Sequence, residues 1–327
     1  MKKCFSLILA VLLAFTLVAT VSAGGGKSSS SGSGEITIGI SMDALDSQFW
    51  VANLNAMREE ARKQGVRVVE VIAEGDAQRQ NQQIDTLIAQ KVSAIIIAPK
   101  DGTAIVSAIR KANSAGIPVI MNNRAASEPI AACTVGSDSK AMTKRTFEWI
   151  TQRARSEGRK YVLLEFIGAL TDVNAIDRHE GCDEVVKANP DVWTRIIPVN
   201  TDWKTELLDS NGQAALQANS SINAIWTPSD SQIPTVKAML QKFNRYFPVG
   251  DSRHITWATL DGAKDAVDEV KTGHIDVVSV QDSVLTGQLC VQNAVALARG
   301  QQVQKNITEP GFEVRVDNWR QVGFDGY

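Results

Sequence analysis

Short apolar runs alternate with amphipathic stretches from residue 35 to the end of the chain. Each run is bounded by turn residues, which is typical of a buried strand in a parallel sheet. The stretches between the runs carry apolar residues at helical spacing. This alternation predicts repeated βαβ units and therefore an α/β protein with doubly wound parallel sheets.

The alternation occurs in two successive units. In the first, we predict strands at 36–41, 66–72, 94–98 and 117–121 and helices at 50–64, 78–90 and 102–115. In the second, we predict strands at 161–166, 196–199, 222–226, 254–260 and 275–280 and helices at 139–156, 177–188, 207–219, 233–243, 263–271 and 286–299. Two similar units in one chain predict two lobes with a cleft between them.

The turn after the first predicted strand carries candidate ligand-binding residues. In open α/β sheets, ligands bind beyond the carboxyl ends of the strands. The residues at this place are Asp43, Asp46, Ser47, Phe49 and Trp50. Two exposed aromatic rings beside small polar side chains suit a sugar, which has apolar faces and hydroxyl edges.

The same aromatic residues also have a purely structural interpretation. Trp50 stands at helical spacing with Leu54, Met57 and Ala61. On this interpretation it begins the apolar stripe of a helix that packs on the core.

The first residues predict export from the cytoplasm. Lysines at positions 2 and 3 precede an apolar run over 5–21, and Val21-Ser22-Ala23 fits a cleavage site. We predict a signal peptide at 1–23, with an uncleaved membrane anchor as the alternative. A flexible Gly/Ser linker follows at 24–34.

The linker resembles the tether of a bacterial lipoprotein, but the cysteine for lipid attachment is missing. Gly24 follows the cleavage site, and Cys4 lies too early. We therefore expect a freely secreted protein, periplasmic or extracellular, without a lipid anchor. A former lipoprotein tether is the alternative.

The composition of the chain limits the classes of partner and ligand that can be expected. A formal charge of -2 with 21% charged residues gives no reason to expect nucleic acid as a partner. Cleavage would leave Cys133, Cys182 and Cys290, an odd number that allows one disulfide at most. Their spacings match no metal motif. We predict three buried thiols, and neither a metal nor a cofactor.

A series of short motifs follows the predicted strand ends in order. They are the turn from Asp46 to Trp50, Asn123-Arg124 after Ile117-Pro118-Val119, Val135-Gly136-Ser137-Asp138, Asp177-Arg178-His179-Glu180-Gly181, Asp202-Trp203, Ser229-Asp230, Leu260-Asp261-Gly262 and Val280-Gln281. In this order and spacing the chain resembles the ribose/galactose type of periplasmic sugar-binding protein. That family supplies the solute receptors of ABC importers.

The resemblance implies a type I periplasmic binding protein fold. Two Rossmann-like lobes with parallel sheets flanked by helices would be joined by a three-stranded hinge. The N-terminal lobe would comprise 35–137 plus 282–309, and the C-terminal lobe 138–281 plus 310–327. The ligand would lie between the lobes and be buried when the hinge closes.

The resemblance also implies a set of ligand-binding residues. They are Ser47, Phe49, Trp50, Asn123, Arg124, Arg178, Trp203, Ser229, Asp261 and Gln281, to which the longer first turn adds Asp43 and Asp46. Asn123 and Ser229 depart from the family, which usually has Asp and Asn there. Trp203 would stack on the sugar face opposite Phe49 or Trp50.

Two of these residues are expected to anchor the ligand through charge-assisted bonds. Arg178 is placed at a predicted helix start and Asp261 at a strand end, and neither needs to bond the other in the open form. Alternatively, Arg178 is an exposed ion-paired helix residue, and Asp261 belongs only to a turn or a helix cap. His179 and His254 are predicted to be structural.

The function implied is capture of a monosaccharide or polyol and its delivery to an ABC permease in the inner membrane. We expect a monomer that is not an enzyme. A sensing receptor for chemotaxis or a sensor kinase is an alternative. A carboxylate hydrolase is another, although no nucleophile elbow, P-loop or HExxH helix is present. Sugar-responsive repressors share the core, but their N-terminal helix-turn-helix is replaced here by the signal peptide and linker.

Overall fold

The computed structural model describes residues 35–327. The predicted signal peptide at 1–23 and the predicted linker at 24–34 lie outside the described residues. Among the helices of residues 35–327, none is both long and apolar enough to cross a membrane.

Strands and helices alternate through most of the described chain. The strands are β1 (Thr37–Met42), β2 (Arg67–Ile72), β3 (Ala94–Ala98), β4 (Val119–Asn122), β5 (Cys133–Ser137), β6 (Tyr161–Ile167), β7 (Trp193–Asn200), β8 (Ala224–Thr227), β9 (Thr256–Asp261), β10 (Val277–Val280), β11 (Asn306–Glu309) and β12 (Phe312–Arg315). The helices are α1 (Gln48–Gln64), α2 (Ala77–Ala89), α3 (Val106–Ser114), α4 (Ser139–Glu157), α5 (Val173–Ala188), α6 (Thr205–Ala218), α7 (Ile233–Lys242), α8 (Lys264–Lys271), α9 (Ser283–Ala298) and α10 (Trp319–Val322).

The first sheet is parallel throughout, in the order β11-β5-β4-β3-β1-β2. Helices α1 and α9 cover one face, where Leu54 and Val291 share an apolar cluster. Helices α2 and α3 cover the other face through Leu87 and Ile109. Strand β3, Ala94–Ala98, is buried along its whole length because both faces are covered.

The second sheet has the order β12-β10-β9-β8-β6-β7. Its strands are parallel except β12, which pairs antiparallel with β10. Helices α6, α7 and α8 cover one face of this sheet. On the other face, Phe147 of α4 and Val185 of α5 pack with Trp193 and Trp226.

The predicted fold class is confirmed, with the antiparallel edge strand β12 as an addition. The chain passes between the sheets three times: between β5 and α4, between β10 and α9, and between β11 and β12. The predicted lobe boundaries fall in these three connections and remain a prediction.

Two predicted helix starts differ from the structure by four residues, the largest errors of this kind. Helix α3 begins at Val106, not at 102, because the Asp101 carboxylate accepts the backbone N–H groups of Thr103 and Ala104 and forms a turn there. Helix α5 begins at Val173, not at 177, and Asp172 caps it. Strands β5, β11 and β12 were not predicted.

The three cysteines of the described chain are buried and free, as predicted. Burial raises the pKa of Cys133 to about 11. Cys182 and Cys290 also have raised pKa values for the same reason. Their thiols are therefore inert core groups.

Candidate functional site

Every residue that the sequence placed at the binding site lines one cavity between the two sheets. These residues are Asp43, Asp46, Ser47, Phe49, Trp50, Asn123, Arg124, Arg178, Trp203, Ser229, Asp261 and Gln281. The cavity has a volume of about 70 Å³. Because one water needs roughly 10–15 Å³ on this measure, the cavity suits a small ligand that replaces several waters.

Four further residues line the cavity and were missed: Lys100, Asp172, Asn174 and Ser231. Lys100 follows the buried strand β3, so the strand-end rule could have found it. Asp172 carried an N-cap signal, an acidic residue directly before an apolar-periodic stretch. We missed this signal because we predicted the start of α5 four residues too late.

Arg124 lies between two carboxylates. Its Nη1 lies 2.8 Å from Asp43 Oδ2, and its Nε lies 3.0 Å from Asp172 Oδ2. The side chains of Arg124 and Asp172 are 12% and 1% exposed. Burial by itself lowers the pKa of Arg124, but the charges of Asp172 and Asp43 outweigh it and raise the pKa above its ordinary value. Arg124 therefore stays positive when the cleft is closed.

Asp172 joins three elements of the site. Its Oδ1 accepts the Asn174 backbone N–H at 2.9 Å and caps α5, while its Oδ2 accepts the Trp203 indole N–H at 3.1 Å. The same Oδ2 faces Arg124, which follows β4 in the first sheet. One carboxylate thus links a helix start, an aromatic ring and the opposite lobe.

Trp203 sits in a loop with a left-handed backbone, φ +58°. Its ring covers Gly168 so closely that a Cβ there would lie 2.1 Å from the ring. Glycine is therefore required beneath the indole. The stacking of Trp203 on a ligand remains a prediction.

Phe49 and Trp50 are not the exposed aromatics that we expected. They are 3% and 6% exposed, and their rings meet edge to face at 4.9 Å. Both belong to the same apolar cluster as Leu54, Met57 and Ala61, which confirms the structural interpretation of Trp50. They also line the cavity, and the Arg124 guanidinium lies 5.0 Å from the Trp50 ring centroid. The two interpretations are therefore compatible.

Arg178 and Asp261 form a buried ion pair, and our expectation for the open form remains a prediction. Arg178 Nη2 lies 3.4 Å from Asp261 Oδ1, and the two side chains are 5% and 8% exposed. Arg178 also donates to the carbonyl of Pro228. The alternative of an exposed ion pair is wrong, because both side chains are buried. Helix α5 starts early enough to carry Arg178 into the cleft on its second turn.

Asp261 has a backbone that non-glycine residues rarely adopt, with φ +144°. Its Oδ2 accepts from the Ser229 hydroxyl at 2.7 Å, and its Oδ1 accepts from the Gln281 amide at 2.8 Å. Burial raises the pKa of Asp261, while Arg178 and Ser229 oppose that rise. The carboxylate is thus held from several directions.

The neighbouring Asp230, and not Asp261, bonds the backbone of the turn that precedes α8. Its Oδ2 accepts the backbone N–H groups of Gly262 and Ala263, both at 2.7 Å, and its Oδ1 accepts from Thr259 at 2.6 Å. Burial, and then the charge of Asp261, raises the pKa of Asp230 to about 7. Helix α8 has Ala263 at its N-cap and no side-chain cap bond, so the helix-cap alternative for Asp261 is wrong.

Three polar atoms of the cavity wall are buried and have no hydrogen-bond partner among residues 35–327: Asp43 Oδ1, Arg124 Nε, which has only its ion pair with Asp172, and Arg178 Nε. Buried polar groups are normally satisfied, so these atoms suit bonds to a ligand. In the same part of the chain, no three His, Cys, Asp or Glu side chains are grouped as metal ligands. His179 and His254 lie away from the cavity wall and pair with Glu165 and Asp276.

Comparison with known proteins decides the family. Residues 38–302 match the family described as a periplasmic binding protein domain. The chain belongs to the periplasmic binding protein family. The resemblance found in the sequence is thereby confirmed.

This periplasmic binding protein is similar over most of its length to proteins of known ligand. The ribose import binding protein RbsB of Bacillus subtilis is 27% identical over 95% of this chain and 98% of its own. A xylitol-binding protein of Mycolicibacterium smegmatis is 23% identical over 83% of this chain and 77% of its own.

Two ABC transporter solute-binding proteins are similar in structure. One from Mycobacterium smegmatis, with bound glycerol, has a TM-score of 0.79 at 25% identity and covers 88% of this chain and 96% of its own. One from Bacillus halodurans, with bound myo-inositol, has a TM-score of 0.81 at 24% identity and covers 89% and 98%.

Asn123 bonds two other amide side chains of the cavity wall in this periplasmic binding protein. Asn123 Nδ2 donates to Gln281 Oε1 at 2.9 Å, and its Oδ1 accepts from Asn174 at 2.6 Å. A carboxylate at this position could accept from Asn174 but could not donate to Gln281. The amide therefore completes a chain of side chains from Asn174 to Asp261.

Proposed function

We propose that the protein captures a monosaccharide or related polyol in the cavity between its lobes and delivers it to an ABC permease in the inner membrane. The observation that carries the proposal is the cavity wall, which combines aromatic rings with paired carboxylate and guanidinium groups. The relatives that bind ribose and xylitol support the same class of ligand.

The chemistry of the wall fits a neutral polyhydroxyl ligand. Sugar hydroxyls both donate and accept, so they can meet carboxylates, a guanidinium and amides together. Asp43 and Asp261 supply acceptors, Arg178 supplies donors, and Asn123 and Gln281 supply both. Arg124 is already neutralised by carboxylates, which disfavours an anionic ligand beside it.

Closure of the two lobes would bury the ligand. Direct contacts between the lobes support a closed form: the Gly102 N–H donates to the Thr171 carbonyl at 3.3 Å, and the Lys264 N–H donates to Gln48 at 3.1 Å. We propose that the connections at 137/138, 281/282 and 309/310 act as the hinge. The lobes would then be 35–137 plus 282–309 and 138–281 plus 310–327.

The site of action would be outside the cytoplasm. The signal peptide predicted at 1–23, together with the family, supports export to the periplasm or the extracellular space. We propose that the exported protein is a monomer without a lipid anchor. It would act by binding and release, without catalysis.

A thermal-shift screen of the exported protein against pentoses, hexoses, deoxyhexoses and polyols tests the proposal. A ligand at a hundred times its Kd should stabilise the fold by about 2.7 kcal/mol. Mass analysis of the ligand afterwards should find it unchanged, and product formation would point to an enzyme. If no sugar or polyol raises the Tm, the proposed ligand class is wrong.

Two further measurements sharpen this test. Trp203→Leu should weaken binding of the ligand found by about 1–3 kcal/mol through loss of an aromatic contact. Trp149→Leu is the control, because Trp149 lies on α4, away from the cavity wall. Small-angle scattering should show a smaller radius of gyration with ligand than without, and an equal radius at saturation would contradict closure.

A further inference from the structure

Tyr327 contacts the backbone of two residues that line the cavity, Asp261 and Gln281. It does not line the cavity. Its hydroxyl donates towards two backbone carbonyls, that of Asp261 and that of Gln281, the latter at 3.2 Å. Both of these residues present their side chains to the cavity. The hydroxyl therefore fixes the main chain at the ends of two neighbouring strands, β9 and β10.

The ring of Tyr327 reaches the other lobe. It meets the Phe49 ring edge to face, with centroids 6.2 Å apart. Phe49 lies in the first turn of α1 and packs in the core beside the first sheet. One side chain thus contacts wall residues that come from both sheets.

The segment that carries Tyr327 is fastened to the second lobe. Asp325 pairs with Lys271 of α8 at 2.8 Å, and the Phe324 ring meets Phe312 of β12 at 5.3 Å. The Lys264 N–H donates to the Tyr327 carbonyl at 3.4 Å. Tyr327 should therefore move with the second lobe and gain its contact with Phe49 when the cleft closes.

Asp261 needs such support. Its φ of +144° is strained for a residue with a side chain. Strained backbone persists only where its surroundings determine it strongly. The Asp261 carbonyl accepts the Gln281 N–H at 2.9 Å as well as the Tyr327 hydroxyl. Burial raises the pKa of Tyr327 well above its ordinary value, so this hydroxyl stays protonated and remains a donor.

We propose that Tyr327 is a positioning residue for ligand binding, which holds Asp261 and Gln281 in place and links them to Phe49 in the closed form. The inference rests on the proposed function, because it concerns the same cavity. It predicts that a residue without ligand contact controls affinity.

The test compares Tyr327→Phe with Tyr246→Phe. Both substitutions remove one hydroxyl of the second lobe, but the Tyr246 hydroxyl bonds to Glu269, away from the cavity. Affinity for the ligand found in the screen is measured by calorimetry, and amide hydrogen exchange of Gln281 is measured without ligand. Tyr327→Phe should weaken binding about threefold to tenfold, the range for one net hydrogen bond. It should also speed exchange at Gln281, and Tyr246→Phe should do neither.

Tyr327→Leu extends the test to the ring. It also removes the contact with Phe49, so the ligand should dissociate faster than from Tyr327→Phe. Equal dissociation rates would overturn the link to Phe49.

Two results would overturn the positioning role: unchanged exchange at Gln281 in Tyr327→Phe, or wild-type affinity in that variant. A wild-type protein that binds no sugar or polyol would instead contradict the proposed function. The exchange measurement needs no ligand and would still decide whether Tyr327 holds this backbone.

Discussion

Replacing Asp172 by Asn tests whether one carboxylate holds the closed cleft together. Asn keeps an oxygen that can cap α5 through the Asn174 N–H. It removes the negative charge that faces Arg124 at 3.0 Å. It also places an amide N–H₂ group, or a weaker acceptor, against the Trp203 indole N–H and the guanidinium. We expect ligand affinity to fall.

The size of the effect follows from the burial of the pair. Unit charges about 3 Å apart attract by roughly 5 kcal/mol at an effective dielectric constant of about 20. Desolvation offsets part of this, and truncating one partner of a buried charge pair costs about 2–5 kcal/mol. Asp43 still neutralises Arg124 in the variant. We therefore expect the lower part of that range, about 2–3 kcal/mol, or a Kd raised roughly 30- to 150-fold.

Calorimetry with the cognate ligand measures this loss, with Asp46→Asn as the matched control. Asp46 lines the same cavity but is exposed, so its substitution should cost less than about 1 kcal/mol. High salt should reduce the small effect at Asp46 and leave the large one at Asp172. A Kd for Asp172→Asn within a factor of two of wild type would refute the view that this ion pair stabilises closure.

The other predictions concern folding stability. Arg178→Met should lower the unfolding free energy of the ligand-free protein by about 3 kcal/mol, because the buried Asp261 carboxylate loses its partner at 3.4 Å. Urea unfolding measures this loss, and Arg195→Met, at an exposed position, is the control. Equal losses in the two variants would contradict the prediction. Burial alone would lower the pKa of His254, but its hydrogen bond to Asp276 and that carboxylate's charge raise it. This contribution to stability is complete below the unfolded pKa of about 6.5 and is lost as the pH rises through the folded pKa. The unfolding free energy should decline as the pH rises over that range, and His254→Gln should flatten the decline. If the pH dependence of stability in His254→Gln equals that of the wild type, the pair of His254 and Asp276 is not its cause.

The sequence by itself determined the layers of the fold and the position of the binding site at the carboxyl ends of the strands. Apolar runs such as Ala94–Ala98 are legible because a strand covered on both faces needs no polar residues. The residues after each strand end are equally legible because parallel strands bring their carboxyl ends to one edge. For that reason Asp43 and Trp50 could be placed at a binding cavity from the residues alone, whereas Arg124 and Asp261 were placed there by the resemblance to the family.

The errors in the predicted ends of strands and helices arose where the local sequence signal was weak. Strand β12 is an edge strand whose pairing partner β10 lies far away in sequence, so nothing local marked its direction. The start of α5 depended on the cap at Asp172, which competes with other polar residues in the same loop.

Only the tertiary structure decided which charges face each other. Arg124 could have paired with many carboxylates, and its choice of Asp43 and Asp172 depends on how closely the two lobes approach. The contact of Tyr327 with Phe49 depends on the same approach. Side-chain pairing across a cleft is set by distances of a few ångströms between elements that are remote in sequence. Periodicity along the chain fixes the elements and their faces, and it contains no information about those distances.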